Sequence, residues 1–237
     1  MATQFRLNPR QIHELEVIRD LPPERLAEVC AALNRVVPPP LTTNELGSIL
    51  GEVLGADSEV SEILLKQVVS LASLERHQDL AAGDVLRGLL YGIRASAPSW
   101  TQDDFERWQT VEPELRRILE HPSVWRVSKA LDLSYDFAYL LQEARVVSDI
   151  RPVFDREATE IEAAVVSFTL RLRYDGVNGE HGVSVAMNES DVKDLLQECQ
   201  RALRKAHLAS EVMNGKARIR TIISGQGDAG GENDVDR

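Results

Sequence analysis

Ala164-Val-Val-Ser-Phe-Thr-Leu-Arg-Leu-Arg-Tyr174 is the stretch that decides the fold. Successive side chains of a strand point to opposite faces. Ala164, Val166, Phe168, Leu170, Leu172 and Tyr174 therefore share one face, and Ser167, Thr169, Arg171 and Arg173 share the other. This period of two predicts a strand from about Ile161 to Tyr174. Before it, Arg145-Val-Val-Ser-Asp-Ile-Arg-Pro-Val-Phe154 is β-rich, and Pro152, which has no N–H to give to a ladder, places that strand at an edge. After it, Asp175-Gly-Val-Asn-Gly179 reads as a hairpin connection, and Gly182-Val-Ser-Val-Ala-Met187 as the returning strand with Val183, Val185 and Met187 on one face. Asn188 then caps a helix, with Asp191 at the capping-box position. Val192, Leu195, Leu196, Cys199, Leu203 and Ala206 form its apolar stripe, which is expected to cover the apolar face of the sheet.

Upstream of Ala144 the period is helical. Asn8-Pro9 and Pro22-Pro23 are helix starts, and Val37-Pro-Pro-Pro-Leu41 is a stiff break. Thr42 or Thr43 caps a segment with Leu46, Ile49, Leu50, Val53 and Leu54 on one stripe. Asp57 or Ser58 caps the next, with Val60, Ile63, Leu64, Val68 and Leu71. A further helix is expected from about Ala81 to Arg94. Thr101 with Asp104 forms another capping pair, and Trp100 and Phe105 occupy hydrophobic-staple positions. Beyond Trp108, short helices are expected over Glu112–Glu120, Ser123–Leu131 and Ser134–Glu143, with Phe137, Leu140 and Leu141 facing a bundle core. The fold class is α+β. An all-helical domain over 1–143 precedes a three-stranded antiparallel sheet and long helix over 144–213, and a flexible acidic tail over 214–237.

The chain has 237 residues, 43% of them hydrophobic and 27% charged, the composition of an ordinary globular protein. Its start lacks the basic patch and apolar run of a secretory signal, and no apolar run reaches membrane-spanning length, so a cytoplasmic location is expected. Cys30 and Cys199 lie in amphipathic helical patterns and are expected to be buried, reduced thiols. The net charge of -11 opposes nonspecific binding to nucleic acid. The balance is uneven, however. Arg201, Arg204, Lys205, Lys216, Arg218 and Arg220 face only Glu211 between residues 201 and 220, a local charge of +5. Basic residues ending a helix also complement its dipole.

Catalytic motifs are absent. His13, His77, His121, His181 and His207 are scattered, with no HExxH and no Cys/His spacing suited to a metal. Glu75, Asp79 and Asp84 read as a solvated acidic face. There is no G-x-S-x-G, no P-loop and no G-x-G-x-x-G opening a helix, so neither catalytic residues nor a cofactor or metal site is expected. The most distinctive local string is Asp149-Ile-Arg-Pro-Val-Phe154. Asp149 and Arg151 share a strand face opposite Ile150 and could pair with each other or with Arg171 or Arg173, either as a solvated charge ladder or as a recognition surface for an acidic partner.

The order of elements resembles the COMM domain family, in which a helical N-terminal domain is joined to a module of three antiparallel strands and a helix. The resemblance rests on Val146-Val-Ser-Asp-Ile150, Val166-Ser-Phe-Thr-Leu-Arg-Leu172, Val183-Ser-Val-Ala-Met187 and Asp191-Val-Lys-Asp-Leu-Leu196. Family members often carry a Trp in the first strand, whereas Trp100, Trp108 and Trp125 all precede it here. The resemblance implies dimerisation with a second copy or a paralogous chain, a scaffold role and no cofactor. The size of the module points the same way. One apolar sheet face and one helix stripe make a marginal core for so short a module. The expected interface is Ile150, Val166, Phe168, Leu170, Leu172, Val183, Val185, Leu195 and Leu196. The function expected is a non-enzymatic oligomerising scaffold or adaptor. The alternative is a regulatory protein binding nucleic acid through residues 201–220.

Overall fold

The computed structural model of the chain describes residues 5, 7–55, 59–176 and 179–225. The chain divides into two compact units, a helical one ending at Ser134 that also takes in Ser224 and Gly225, and a second one, Tyr135–Ile223. The architecture is α+β.

The helical unit holds α1 (Pro9–Arg19), α2 (Pro23–Arg35), α3 (Thr43–Leu54), α4 (Glu59–Gln78), α5 (Ala82–Ser96), α6 (Gln102–Leu119) and α7 (Pro122–Tyr135). Reciprocal capping boxes start three of them. Asn8 with Gln11, Thr42 with Glu45 and Thr101 with Asp104 each satisfy two backbone N–H groups that the first turn leaves free. The cap expected at Asp57 or Ser58 lies outside the described residues. α2 packs on α3 and α6, α1 on α4 and α6, and α5 on α4 and α6. Leu26, Leu46, Leu64, Leu86, Trp108 and Leu115 are all fully buried between them. Fully burying each such aliphatic side chain is worth about 1.5–3 kcal/mol. Residues near the start of the chain lie against this core at Gly92, where a side chain would collide with the Phe5 carbonyl at 2.5 Å.

Two helical expectations are corrected. α6 runs unbroken through Pro113, where the sequence suggested a break after Trp108. Trp108, Val111, Leu115 and Ile118 form one buried stripe across the proline, and their burial outweighs the roughly 3 kcal/mol of a missing helix hydrogen bond and the ring clash. The helix expected over Ser134–Glu143 does not form, because the first strand already begins at Tyr139. Phe137 and Leu141 are 69% and 62% exposed and face no bundle core.

The second unit is β1 (Tyr139–Phe154), β2 (Ile161–Gly176), β3 (Gly179–Met187) and α8 (Glu189–Val212), closed by a π turn over Met213–Ala217. The strands form one antiparallel sheet in the order β1-β2-β3, so β1, with Pro152, is an edge strand. The register breaks between Leu141 and Glu143, where Gln142 is an extra residue. That bulge explains the misread start. Tyr139 and Leu141 share the apolar face with Ala144, Val146 and Ile150, but the phase of the alternation slips by one between them. Tyr139 packs edge-on against Tyr174, with ring centroids 5.4 Å apart, and its ring lies where any side chain at Gly176 would stand. The connection at residues 177–178 lies outside the described residues. Of the segment read as a tail from Asn214, residues up to Ala217 belong to the π turn, and residues 226–237 lie outside the described residues.

Candidate association surface

Strand register collects the expected interface residues of the sheet on one face. Ile150 stands opposite Val166, Leu170 between Val146 and Val185, Leu172 between Ala144 and Val183, and Phe168 between Ser148 and Met187. This face is open. Ile150 is 73% exposed, Val166 56% and Val185 46%, while Phe168, Leu170 and Leu172 are half-buried. An apolar face this continuous is characteristic of an interaction surface.

α8 does not seal it, which corrects the expectation that its stripe covers the sheet. The helix meets β2 and β3 only marginally and has no buried residue. Leu195, Leu196 and Leu203 are 39%, 59% and 60% exposed, and only Val192 and Ala206 of the stripe are half-buried. The capping box at Asn188 and Asp191 starts α8 as the sequence indicates. Cys199, expected to be buried in this stripe, is an exposed free thiol instead. An amphipathic helix of 24 residues cannot bury its stripe against a sheet that it only grazes.

The opposite, polar face carries Glu143, Arg145, Asp149 and Arg151 from β1 with Arg171 and Arg173 from β2. The pairing considered for Asp149 and Arg151 does not occur. They stand opposite Ser167 and Val165, while Arg171 stands opposite Arg145 and Arg173 opposite Glu143. The charge ladder that forms instead runs from Arg145 (2.6 Å) and Arg173 (2.7 Å) to Glu143, and from Arg173 (3.3 Å) to Glu180. Sequence reading missed Glu143 and Arg145. Their alternation in step with Arg171 and Arg173 was visible, but they lay beside the bulge, at the end of a supposed helix.

Hydrogen bonds from Thr159 and from the Glu160 N–H hold the Asp155 carboxyl low in the turn between β1 and β2, while the other groups with displaced pKa values lie in the helical unit. Burial alone would raise the Glu14 carboxyl, but hydrogen bonds from Lys66 and Gln67 and the charge of Arg10 outweigh it and hold the group below its ordinary range. Asp132 is likewise low, because Arg76 and Ser73 of α4 bond it and tie α7 to α4. A cleft of about 410 Å³ is lined by Cys30, Asn34, Glu120, His121 and their neighbours. Burial pushes the Cys30 thiol up, aided by the negative charge of Glu114, so it is a poor nucleophile. His121 is pushed down by burial and by Arg126, and its Nδ1 accepts the Ser123 N–H at 3.1 Å. Among the described residues no group of three or more His, Cys, Asp or Glu side chains is placed to hold a metal ion, and no helix is long and apolar enough to cross a membrane. No family model matches this chain, and no curated protein matches it significantly.

Proposed function

We propose that the chain is a non-enzymatic scaffold whose βββα module pairs with a second copy, or with a paralogous chain, to make the hydrophobic core that it lacks alone. One observation carries this reading: among the described residues from Tyr135 to Ile223, none is buried, although the sheet presents an unbroken apolar face and α8 an exposed leucine stripe. A sheet and helix in water without a core are not independently stable. Face-to-face pairing would cover Phe168, Leu170 and Leu172 and the α8 leucines together. The helical unit, which already has its own core, is then the part presented to other proteins. The COMM-like order of the elements supports the same reading, with no cofactor required and with function in the cytoplasm. Size-exclusion chromatography with light scattering at micromolar concentration is expected to give a dimer. A well-behaved monomer would sink the proposal.

A second reading is favoured by Arg204, Lys205, Lys216 and Arg218, which have no ion-pair partner among the described residues. A regulatory protein binding nucleic acid through residues 201–220 would show salt-dependent affinity for DNA or RNA that vanishes when these four are neutralised. No binding at low salt removes this reading.

A further inference from the structure

We propose that the polar face of the sheet holds a site for one compact phosphoryl dianion, the phosphate of a small phosphate monoester, clasped by Arg145, Arg171 and Arg173. These three side chains and Glu143 alone line a depression of about 280 Å³. Three positive charges against one negative leave +2 in the depression, on a chain whose net charge is -11. Glu143 is already engaged at both oxygens, Oε1 by Arg145 and Oε2 by Arg173. Arg171 has neither an ion pair nor a side-chain hydrogen bond among the described residues, and the register sets it directly opposite Arg145. Like charges facing each other across a strand pair are destabilising, so this arrangement does nothing for the fold. An oxyanion between them reverses the sign of that interaction, and a guanidinium fork suits a phosphoryl group in two-point contact.

The surroundings select a compact anion over a polyanion. Along the strands the site is bounded on one side by the neutral Val147–Thr169 rung and then by Asp149, which separates it from Arg151, and on the other by Asp175 and Glu180, and these carboxylates repel a chain of phosphates. Neither the neighbouring rung, Val147 with Thr169, nor Ser184 beside Arg171 offers an aromatic ring on which a base could stack. The site faces away from the apolar side of the sheet, so it stays open however that side is covered and does not depend on the dimer.

The test is isothermal titration of the full-length protein at low ionic strength with inorganic phosphate and, separately, with phenyl phosphate. Wild type is compared with Arg171→Gln and with Arg204→Gln on α8 as a charge-matched control. One phosphate per chain is expected, bound at least tenfold more weakly by Arg171→Gln and unchanged by Arg204→Gln. Phenyl phosphate should bind at least as well as inorganic phosphate, and stronger binding of the inorganic ion alone would remove the monoester from the proposal. Binding should tighten as pH rises through about 6, where a phosphate monoester loses its second proton. Without phosphate, Arg171→Gln should unfold at the same or a higher denaturant concentration than wild type, since it removes a like-charge pair; Arg145→Gln repeats both measurements. The proposal is overturned by absence of saturable binding, by equal weakening in Arg204→Gln, by wild-type affinity in Arg171→Gln, or by a loss of stability in Arg171→Gln, which would make its role structural.

Discussion

Trp108 and Phe168 are both large aromatic residues on the apolar face of their element, yet Trp108 is fully buried, whereas Phe168 is only half-buried and lies among exposed neighbours such as Val166. The difference is one of layers. Among the described residues, seven helices close around a common interior, so each apolar stripe finds another within its own chain. A single sheet with a helix at its margin has no second layer among the described residues, and its apolar side stays open. The helical unit therefore encloses its own core, whereas the βββα unit, on the proposed reading, is a half-domain, and their responses to perturbation should then differ in kind as well as in size.

The largest contrast should come from one core substitution in each unit. Trp108→Ala is expected to cost about 3–5 kcal/mol in denaturant unfolding, with a midpoint that does not move with protein concentration. Leu170→Asp should leave the helical unit folded and raise the dimer dissociation constant at least a hundredfold, about 3 kcal/mol, as read by analytical ultracentrifugation. If Leu170→Asp leaves the mass unchanged, the contrast between finished and unfinished domain fails. A finer comparison uses the capping box that both units share. Thr42→Ala and Asn188→Ala should each cost about 1 kcal/mol. The first effect should be independent of concentration, and the second should grow as the protein is diluted.

The smallest expected effect is a pH dependence confined to the helical unit. His121 accepts the Ser123 N–H through Nδ1 and meets Asn34 through Nε2, so the neutral ring is the one that fits. Its folded pKa is depressed, so the folded state binds the proton less readily than the unfolded chain. Its contribution to stability is therefore complete above the unfolded value of 6.5 and is lost as pH falls below it. Urea unfolding at pH 7.5 and pH 5.5 should show the helical transition weakening on acidification, and His121→Asn should reduce that slope. An equal slope in the variant would assign the acid sensitivity elsewhere.

Much of this architecture was legible in residue order, and the misreadings have local causes. The face shared by Val166, Phe168, Leu170 and Leu172 was plain because β2 alternates without interruption from Ala163 to Gly176. β1 was read five residues short, from 144 instead of 139, because one bulged residue destroys the phase on which period-two reading depends. Pro113 suggested a helix boundary, since local preference carries no information about the buried stripe that holds α6 together. The openness of α8 was hidden for a similar reason. A stripe announces that burial is wanted, not which surface provides it. The Arg145 and Arg171 pairing depended on register, which is fixed only when two distant segments meet.

Pro152 bears on solution behaviour rather than on fold. β1 is a 16-residue edge strand, and long edges invite further strands to add until fibres or precipitates form. Pairing with β2 runs without a break from Ile150 to Val153, and prolines in sheets are confined to edges where the missing N–H faces away from the ladder. Any incoming strand would lose a hydrogen bond there and meet a second irregularity at Gln142. The two interruptions make the backbone edge a poor template for growth, while the broad apolar face beside it stays open.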